Sequence, residues 1–336
     1  MRRAAGLVLI LLACAAVLRA QGTVGGYFSL DYLRGQAAGL APYGSVENIQ
    51  AGLILSGAWT QKLGYVLEVR SKENMRFDIE QAWARVSWSE AFQIKLGLFL
   101  VPFGRYNSAN RPFETPLVQM PVPAAAAFPA SWRELGAMAE GKTGFLRYAA
   151  WIGNGLAEGR DFASGQQFRD NNENKAWGGR LGVMLQESFE VGGSISRGKI
   201  SAADDRALSM TGVDATWVNG GLTLTGEYFR SEIANPEPYA AGKAEGWFVL
   251  GSYDLGGIDA VVGYQKLVYS DGFHGSGFAG PAQAGLGISE NLRVWSFGLT
   301  APLAAGFVLK AEYDLNREPG LELKNDVFRA QIAARF

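Results

Sequence analysis

Four charged residues lie in or beside one long irregular stretch, PFGRYNSANRPFETPLVQMPVPAAAAFPASW at 102–132: Arg105, Arg111, Glu114 and Arg133. Guanidinium and carboxylate groups facing one another across a gap set a transverse field that sorts solutes by charge, and they do so without making or breaking bonds. A connection of this length is uncommon unless it is functional or disordered. Tyr106, Phe113 and Phe128 give it material to pack. The expectation is a loop folded into a wide interior, with these four residues at a constriction. The alternative is an external loop that covers the mouth of the molecule or meets a neighbouring subunit.

The flanking segments must position that loop, and their pattern is alternation. FQIKLGLFL sets Phe92, Ile94, Leu96, Leu98 and Leu100 on one face and Lys95 on the other. GFVLKAEYDL separates Phe307, Leu309, Ala311, Tyr313 and Leu315 from Lys310, Glu312 and Asp314. Sixteen such segments are expected, near 25–34, 46–59, 63–71, 76–88, 92–101, 132–141, 145–154, 175–186, 188–198, 207–218, 221–231, 243–254, 257–269, 291–301, 305–317 and 322–336. Each is about ten residues long, as a tilted strand needs to cross a bilayer. Connections after even segments are short, such as SEA, GKTG and NG. Those after odd segments are mostly longer, with SKENM and REPG as exceptions. This reads as an all-β, antiparallel, up-and-down transmembrane barrel of about 16 strands, with a long inward-folded loop after strand 5. Its two rims would face different compartments.

Parity then assigns an interior. Arg70, Arg85, Lys95, Arg147, Arg180, Lys310 and Arg329 fall opposite the apolar faces, with Glu68, Glu190, Glu227, Glu312 and Arg335 interleaved. A lipid-facing Arg at mid-bilayer costs about 2–4 kcal/mol, so such charges should point inward. Sixteen strands leave room for an aqueous channel. Trp59, Trp88, Phe92, Trp217 and Tyr253 stand beside the short turns, where an interfacial girdle would lie.

The start, MRRAAGLVLILLACAAVLRAQG, has a basic end, an apolar stretch from Gly6 to Leu18 and a small residue, Ala20, before Gln21. It reads as a cleaved export signal over 1–20, leaving a barrel over 21–336. A lipoprotein signal acylated at Cys14 is the competing reading. Cys14 is the only cysteine, so the exported chain would have neither disulfides nor a thiol nucleophile. Without Arg2, Arg3 and Arg19, the 31 basic residues become 28 against 32 acidic ones. That balance gives no footprint for nucleic acid.

Three motifs invite other chemistry. GAMAEGKT (Gly136–Thr143) fits a phosphate-cradling loop, but GFLRYAAWIGNG after it alternates as a strand, where that mechanism needs a helix. Asp170, Asn172 and Asn174 have calcium-loop spacing without the following Gly or the distal Glu. His274, the single histidine, has Ser270 and Ser276 nearby, but neither lies in a nucleophile elbow. No enzyme activity, metal or cofactor is therefore expected.

KLGLFLVPFGRYN (Lys95–Asn107), RPFETPL and RELGAMAEG resemble the phosphate-selective porin family of outer-membrane channels, chiefly through Gly-x-Phe-x-x-Pro-Phe-Gly at Gly97–Gly104. The resemblance implies a sixteen-stranded porin with a loop in its lumen and a homotrimeric assembly. It also implies passive diffusion of small hydrophilic solutes, with a preference for anions or phosphate. The interleaved acids set this chain apart from a purely basic pore. The final strand, with Phe328, Ile332 and the terminal Phe336 on its apolar face, is similar to the signal read by barrel-assembly machinery. A plugged barrel, serving as an envelope or adhesion scaffold, remains the other expectation.

Overall fold

The computed structural model describes residues 21–336 apart from 38, 73–75, 127–130, 160–161, 163, 204, 236–240, 270–290, 305 and 320–322. Sixteen strands follow one another: β1 (Gln21–Gly35), β2 (Ser45–Ala58), β3 (Leu63–Lys72), β4 (Arg76–Ser89), β5 (Phe92–Leu100), β6 (Arg133–Thr143), β7 (Leu146–Gly153) and β8 (Ala176–Gln186), then β9 (Phe189–Lys199), β10 (Ala207–Asn219), β11 (Leu222–Ile233), β12 (Gly242–Asp254), β13 (Asp259–Tyr269), β14 (Asn291–Ala304), β15 (Phe307–Arg317) and β16 (Val327–Arg335). Each pairs antiparallel with its sequence neighbours, and β1 pairs with β16 from Tyr27↔Arg335 to Gly35↔Val327. The sheet is a closed barrel. Closure satisfies the row of N–H and C=O groups that an open edge would leave bare.

Pairing at the seam continues to the last residue. Phe336 N donates to Gly26 O, and Gly26 N donates to Phe336 O, both at 3.0 Å. The side chains of Phe328 (39% exposed) and Phe336 (78%) lie on the outside.

Alternation places charge inside and apolar groups outside, the reverse of a water-soluble sandwich. On β15, Lys310, Glu312 and Asp314 are buried, whereas Phe307, Leu309 and Tyr313 are exposed. The short connections also follow the sequence reading. Gly220 and Gly221 join β10 to β11 at φ +56° and +84°, as a tight two-residue hairpin demands. Gly136–Thr143 is continuous β6, and the turn to β7 is Gly144–Phe145, so the phosphate-loop pattern is strand, with another strand after it. The final strand begins at Val327, later than the alternation suggested, because Asn325 and Asp326 turn to bond Asn316 and Gln36.

Candidate functional site: the lumenal loop and its charged wall

The 101–132 connection leaves β5 and folds against the inward face of the barrel. Its two ends are joined at the base. Val101 N donates to Trp132 O at 2.9 Å. The buried Asn107 amide donates to the Val101 and Trp132 carbonyls at 2.8 and 2.9 Å, and its Oδ1 accepts from Trp132 N at 2.8 Å. Two short helical pieces interrupt the loop, a 3-10 turn at Tyr106–Ser108 and α1 (Val122–Ala126).

A buried loop must find partners for its own backbone. Here wall side chains supply them. Ser194 on β9 accepts from Gly104 N at 3.1 Å. Glu227 on β11 accepts from Arg105 N and Tyr106 N at 2.8 and 2.7 Å. Gln265 on β13 accepts from Val122 N at 2.7 Å, and Thr300 on β14 donates to Pro116 O at 2.8 Å. On β15, Lys310 donates to the carbonyls of Pro112 and Thr115, and Glu312 accepts from Val118 N and Gln119 N at 2.6 and 2.8 Å.

Apolar contacts complete the seat. Phe103 packs on Trp132 and lies over Gly212, where a methyl group would come within 3.0 Å of its ring. Pro123 would lie 2.7 Å from a methyl group at Gly246, and Leu117 is similarly close to Gly298. Tyr106 meets Phe248 edge-on with ring centroids 5.8 Å apart. Burial pushes the Tyr106 hydroxyl above the usual phenol range.

Two glycines of the Gly97–Gly104 run have physical reasons. Gly97 has φ +126°, and a side chain there would collide with the Ala82 carbonyl. Gly104 has φ +65°, and the Glu227 carboxylate occupies the space a Cβ would need. The motif therefore marks where the loop turns off the wall and onto its first carboxylate bracket.

The charged residues of the sequence reading separate into groups. Arg105, Arg147 and Arg180 converge on Glu190 at 2.7, 3.3 and 3.0 Å, and Arg180 Nε also reaches Asp214 at 2.9 Å. Arg111 sits elsewhere, 2.7 Å from Glu68 on β3 and 3.1 Å from Glu114. Burial opposes the Arg111 charge, yet Glu68 and Glu114 overcome that penalty and hold its pKa above the ordinary guanidinium value. Phe113 beside it packs on Tyr27 of β1 and lies under the Arg335 guanidinium.

Arg133 does not join either group. It is register-paired with the outward-facing Leu100, donates to the Ile79 carbonyl at 2.8 Å and lies 3.6 Å from Glu80 in the irregular stretch of β4. Arg70 approaches the same Glu80 at 3.6 Å. Lys95 pairs with Glu140 at 2.8 Å over the Trp83 ring, Arg329 pairs with Asp314, and Arg85 lies beside Gly64.

A cavity of about 600 Å³ opens between the loop and the wall. It is lined by Arg105, Arg147, Arg180, Glu190 and Glu114 together with Thr216, Thr223, Thr225, Ser252 and Thr300. It extends to Asp259, at the short-turn end of β13. The arrangement can attract and orient a small charged or hydroxylated solute.

The remaining sequence candidates have other roles or cannot be placed. Asp170 pairs with Lys175, while the Asn172 amide donates to the carbonyls of Lys199 and Ser201 at 3.1 Å, so that run ties two long connections together. His274, Ser270, Ser276, Phe128 and the 1–20 segment lie outside the described residues.

No protein-family model matches the chain. An uncharacterized protein of Aquifex aeolicus (strain VF5) is 24% identical over 203 residues, 55% of this chain and 46% of that protein, so the matched region spans about half the relative's length. Among solved structures, Salmonella typhi OmpF in complex with daunomycin superposes with a TM-score of 0.66 at 14% identity, covering 94% of this chain and 97% of that one. The trimer form of OmpT, an outer membrane protein of Vibrio cholerae, gives 0.64 at 12% identity, covering 94% and 99%. An anion-selective porin from Comamonas acidovorans gives 0.62 at 12%, covering 94% and 98%. At these identities the likeness establishes a shared barrel fold.

Proposed function

We propose that this protein is an outer-membrane porin, a non-enzymatic channel through which small hydrophilic solutes diffuse passively. The observation that carries this reading is a closed sixteen-strand barrel with its charge inside, whose longest connection turns inward and leaves a charged cavity beside it. The superposition on OmpF and on an anion-selective porin supports it. In this reading the apolar outer face meets membrane lipid, the 1–20 segment directs export, and barrel-assembly machinery reads the β16 end.

The finer reading is a preference for anions. Within the Glu190 cluster, Arg105, Arg147 and Arg180 outnumber Glu190 and Asp214, so a permeating anion meets a cationic surplus there, while Glu114 and Asp259 add acid elsewhere in the cavity lining. This surplus agrees with the resemblance to phosphate-selective porins, and phosphate is a natural first solute to test. A homotrimer is proposed by analogy with the OmpT trimer.

A second reading, a plugged or scaffolding barrel, is favoured by one feature. The loop touches walls as far apart as β3 and β11, and Phe103, Leu117, Ala124 and Trp132 form a continuous apolar cluster with Phe229, Phe248 and Leu267 inside the barrel. Single-channel recording in a planar bilayer separates the two. Discrete steps with a reversal potential displaced toward the anion support the anion-preferring porin. Steps without displacement keep the porin and remove the preference. Silence from a barrel shown to be folded and inserted supports the plug.

A further inference from the structure

The outer face carries a feature that solute passage does not use. At the long-loop rim, Lys266 on β13 is the direct cross-strand partner of Arg293 on β14, and Arg293 is the direct partner of Arg317 on β15. All three share outward parity. Cross-strand Cβ atoms lie only about 4.5–5.5 Å apart, and like charges directly opposite are destabilising. Arg317 is partly compensated by Asp326 at 3.0 Å. Lys266 and Arg293 have no hydrogen-bond or ion-pair partner among the described residues.

The neighbouring rim is built differently. On β11 and β12, Arg230 and Lys243 both pair with Glu232 at 3.3 Å, and Glu245 is the direct cross-strand partner of Arg230, two bases against two acids. Charge at this level is therefore balanced on one sector of the barrel and left cationic on the next.

The residues below the cations fix their depth. The next outward position toward the barrel middle is aromatic: Tyr264 and Trp295 are direct partners with ring centroids 4.7 Å apart, and Trp247 stacks on Tyr264 at 5.2 Å. Below them come Val262, Phe297 and Leu299, all exposed and apolar. Cation, aromatic and aliphatic rows in that order match headgroup, interface and hydrocarbon.

We propose that Lys266 and Arg293, flanked by Arg317, form a binding site for the phosphate groups of a phosphorylated glycolipid in the leaflet at the long-loop rim. A zwitterionic phospholipid brings its own ammonium to its phosphate and would add a cation to a row already in excess. A lipid bearing phosphomonoesters supplies uncompensated negative charge at the right depth. The acyl chains of such a lipid would lie along Phe297 and Leu299, with its sugar against the Tyr264–Trp295 rings. The proposal rests on the outer-membrane reading of the barrel. It does not depend on whether the lumen conducts.

The test is native mass spectrometry of the folded barrel titrated with lipid A, a bisphosphorylated glycolipid, and in parallel with phosphatidylethanolamine. The wild type is expected to retain lipid A and not phosphatidylethanolamine, and inorganic phosphate is expected not to displace it. The K266Q/R293Q variant is expected to bind lipid A about tenfold more weakly or worse. K243Q, at the same rim but with its charge paired, is expected to bind as the wild type does. Equal affinity in K266Q/R293Q, equal loss in K243Q, retention of phosphatidylethanolamine as strong as that of lipid A, or displacement by free phosphate would each overturn the site. Heat-shifted gel mobility verifies folding, and R293Q alone, with a smaller loss expected, carries the test if the double variant does not fold. Conductance of the same preparations keeps the two ideas apart. A silent barrel that retains lipid A refutes the channel alone, and a conducting barrel that does not retain lipid A refutes the lipid site alone.

Discussion

Arg105 and Arg111 leave the same loop and meet different surroundings. Arg111 is gripped by two carboxylates, one of them the almost fully buried Glu68 on β3. Arg105 shares Glu190 with two further arginines and stays one-third exposed to the cavity. The first cluster has more acid than base around a single arginine that is 19% exposed, so its charge holds the loop. The second has more base than acid, and Arg105 and Arg147 face open volume, so in the proposed channel their charge is available to a passing solute. Counting arginines in a sequence does not separate these roles. The number of carboxylates within reach of each, and the water around them, does.

The sharpest way to break this distinction is to remove Arg111. Arg111→Met leaves Glu68 buried without its cation and is expected to destabilise the barrel by about 3–5 kcal/mol, as breaking a buried pair does. Denaturant unfolding followed by gel mobility measures it. A loss below about 1 kcal/mol, the range of exposed pairs, would place Arg111 with Arg105. Next in size, replacing Arg105 and Arg147 by Gln is expected to lower the anion-to-cation permeability ratio about fivefold, since a charge a few ångströms away in water contributes about 1 kcal/mol. Stability should barely change, and an unmoved reversal potential in a salt gradient would remove the selective role of the cluster.

Glu190→Gln sharpens the same comparison from the acidic side. Freeing three arginines from their shared carboxylate is expected to raise the anion preference, by about two- to fivefold if the net gain is 0.5–1 kcal/mol. A shift toward cations would show that Glu190 organises the cluster more than it neutralises it. The smallest effect is expected at the loop seat. Gly212→Ala presses a methyl group toward the Phe103 ring at 3.0 Å, so the loop must shift by a few tenths of an ångström. Its single-channel conductance should differ measurably from the wild type while selectivity stays the same. Unchanged conductance would mean that the Phe103 contact does not set the width of the passage.

Strand number, order and parity were legible in the chain because a barrel wall writes its two environments at alternate residues. Lys310 and Leu309 could be assigned to opposite faces from that rule alone, and the structure agrees. The constriction was only partly legible. Arg105 and Arg111 lie in the inward loop as expected, but the groups that hold them are far along the chain: Glu227 lies 122 residues from Arg105, and Lys310 lies 198 residues from Pro112. No local period encodes such pairings. Arg133 is held by neither cluster. It follows the loop as the first residue of β6, and its guanidinium lies against Glu80, the carboxylate that Arg70 also approaches. Glu80 is the extra residue of the irregular β3–β4 pairing, so strand parity gives no sign of that contact.

The brackets on β11, β13, β14 and β15 have a consequence in time. The loop is synthesised well before the strands that carry Glu227, Gln265, Thr300, Lys310 and Glu312. Contacts of such wide sequence separation form late, because the intervening chain must first be ordered. A half-assembled barrel therefore holds its loop by the Asn107 staple at the base and by Arg111 and Phe113 against Glu68 and Tyr27, on strands that precede it. The side of the loop that meets β11 to β15 is the last to be seated.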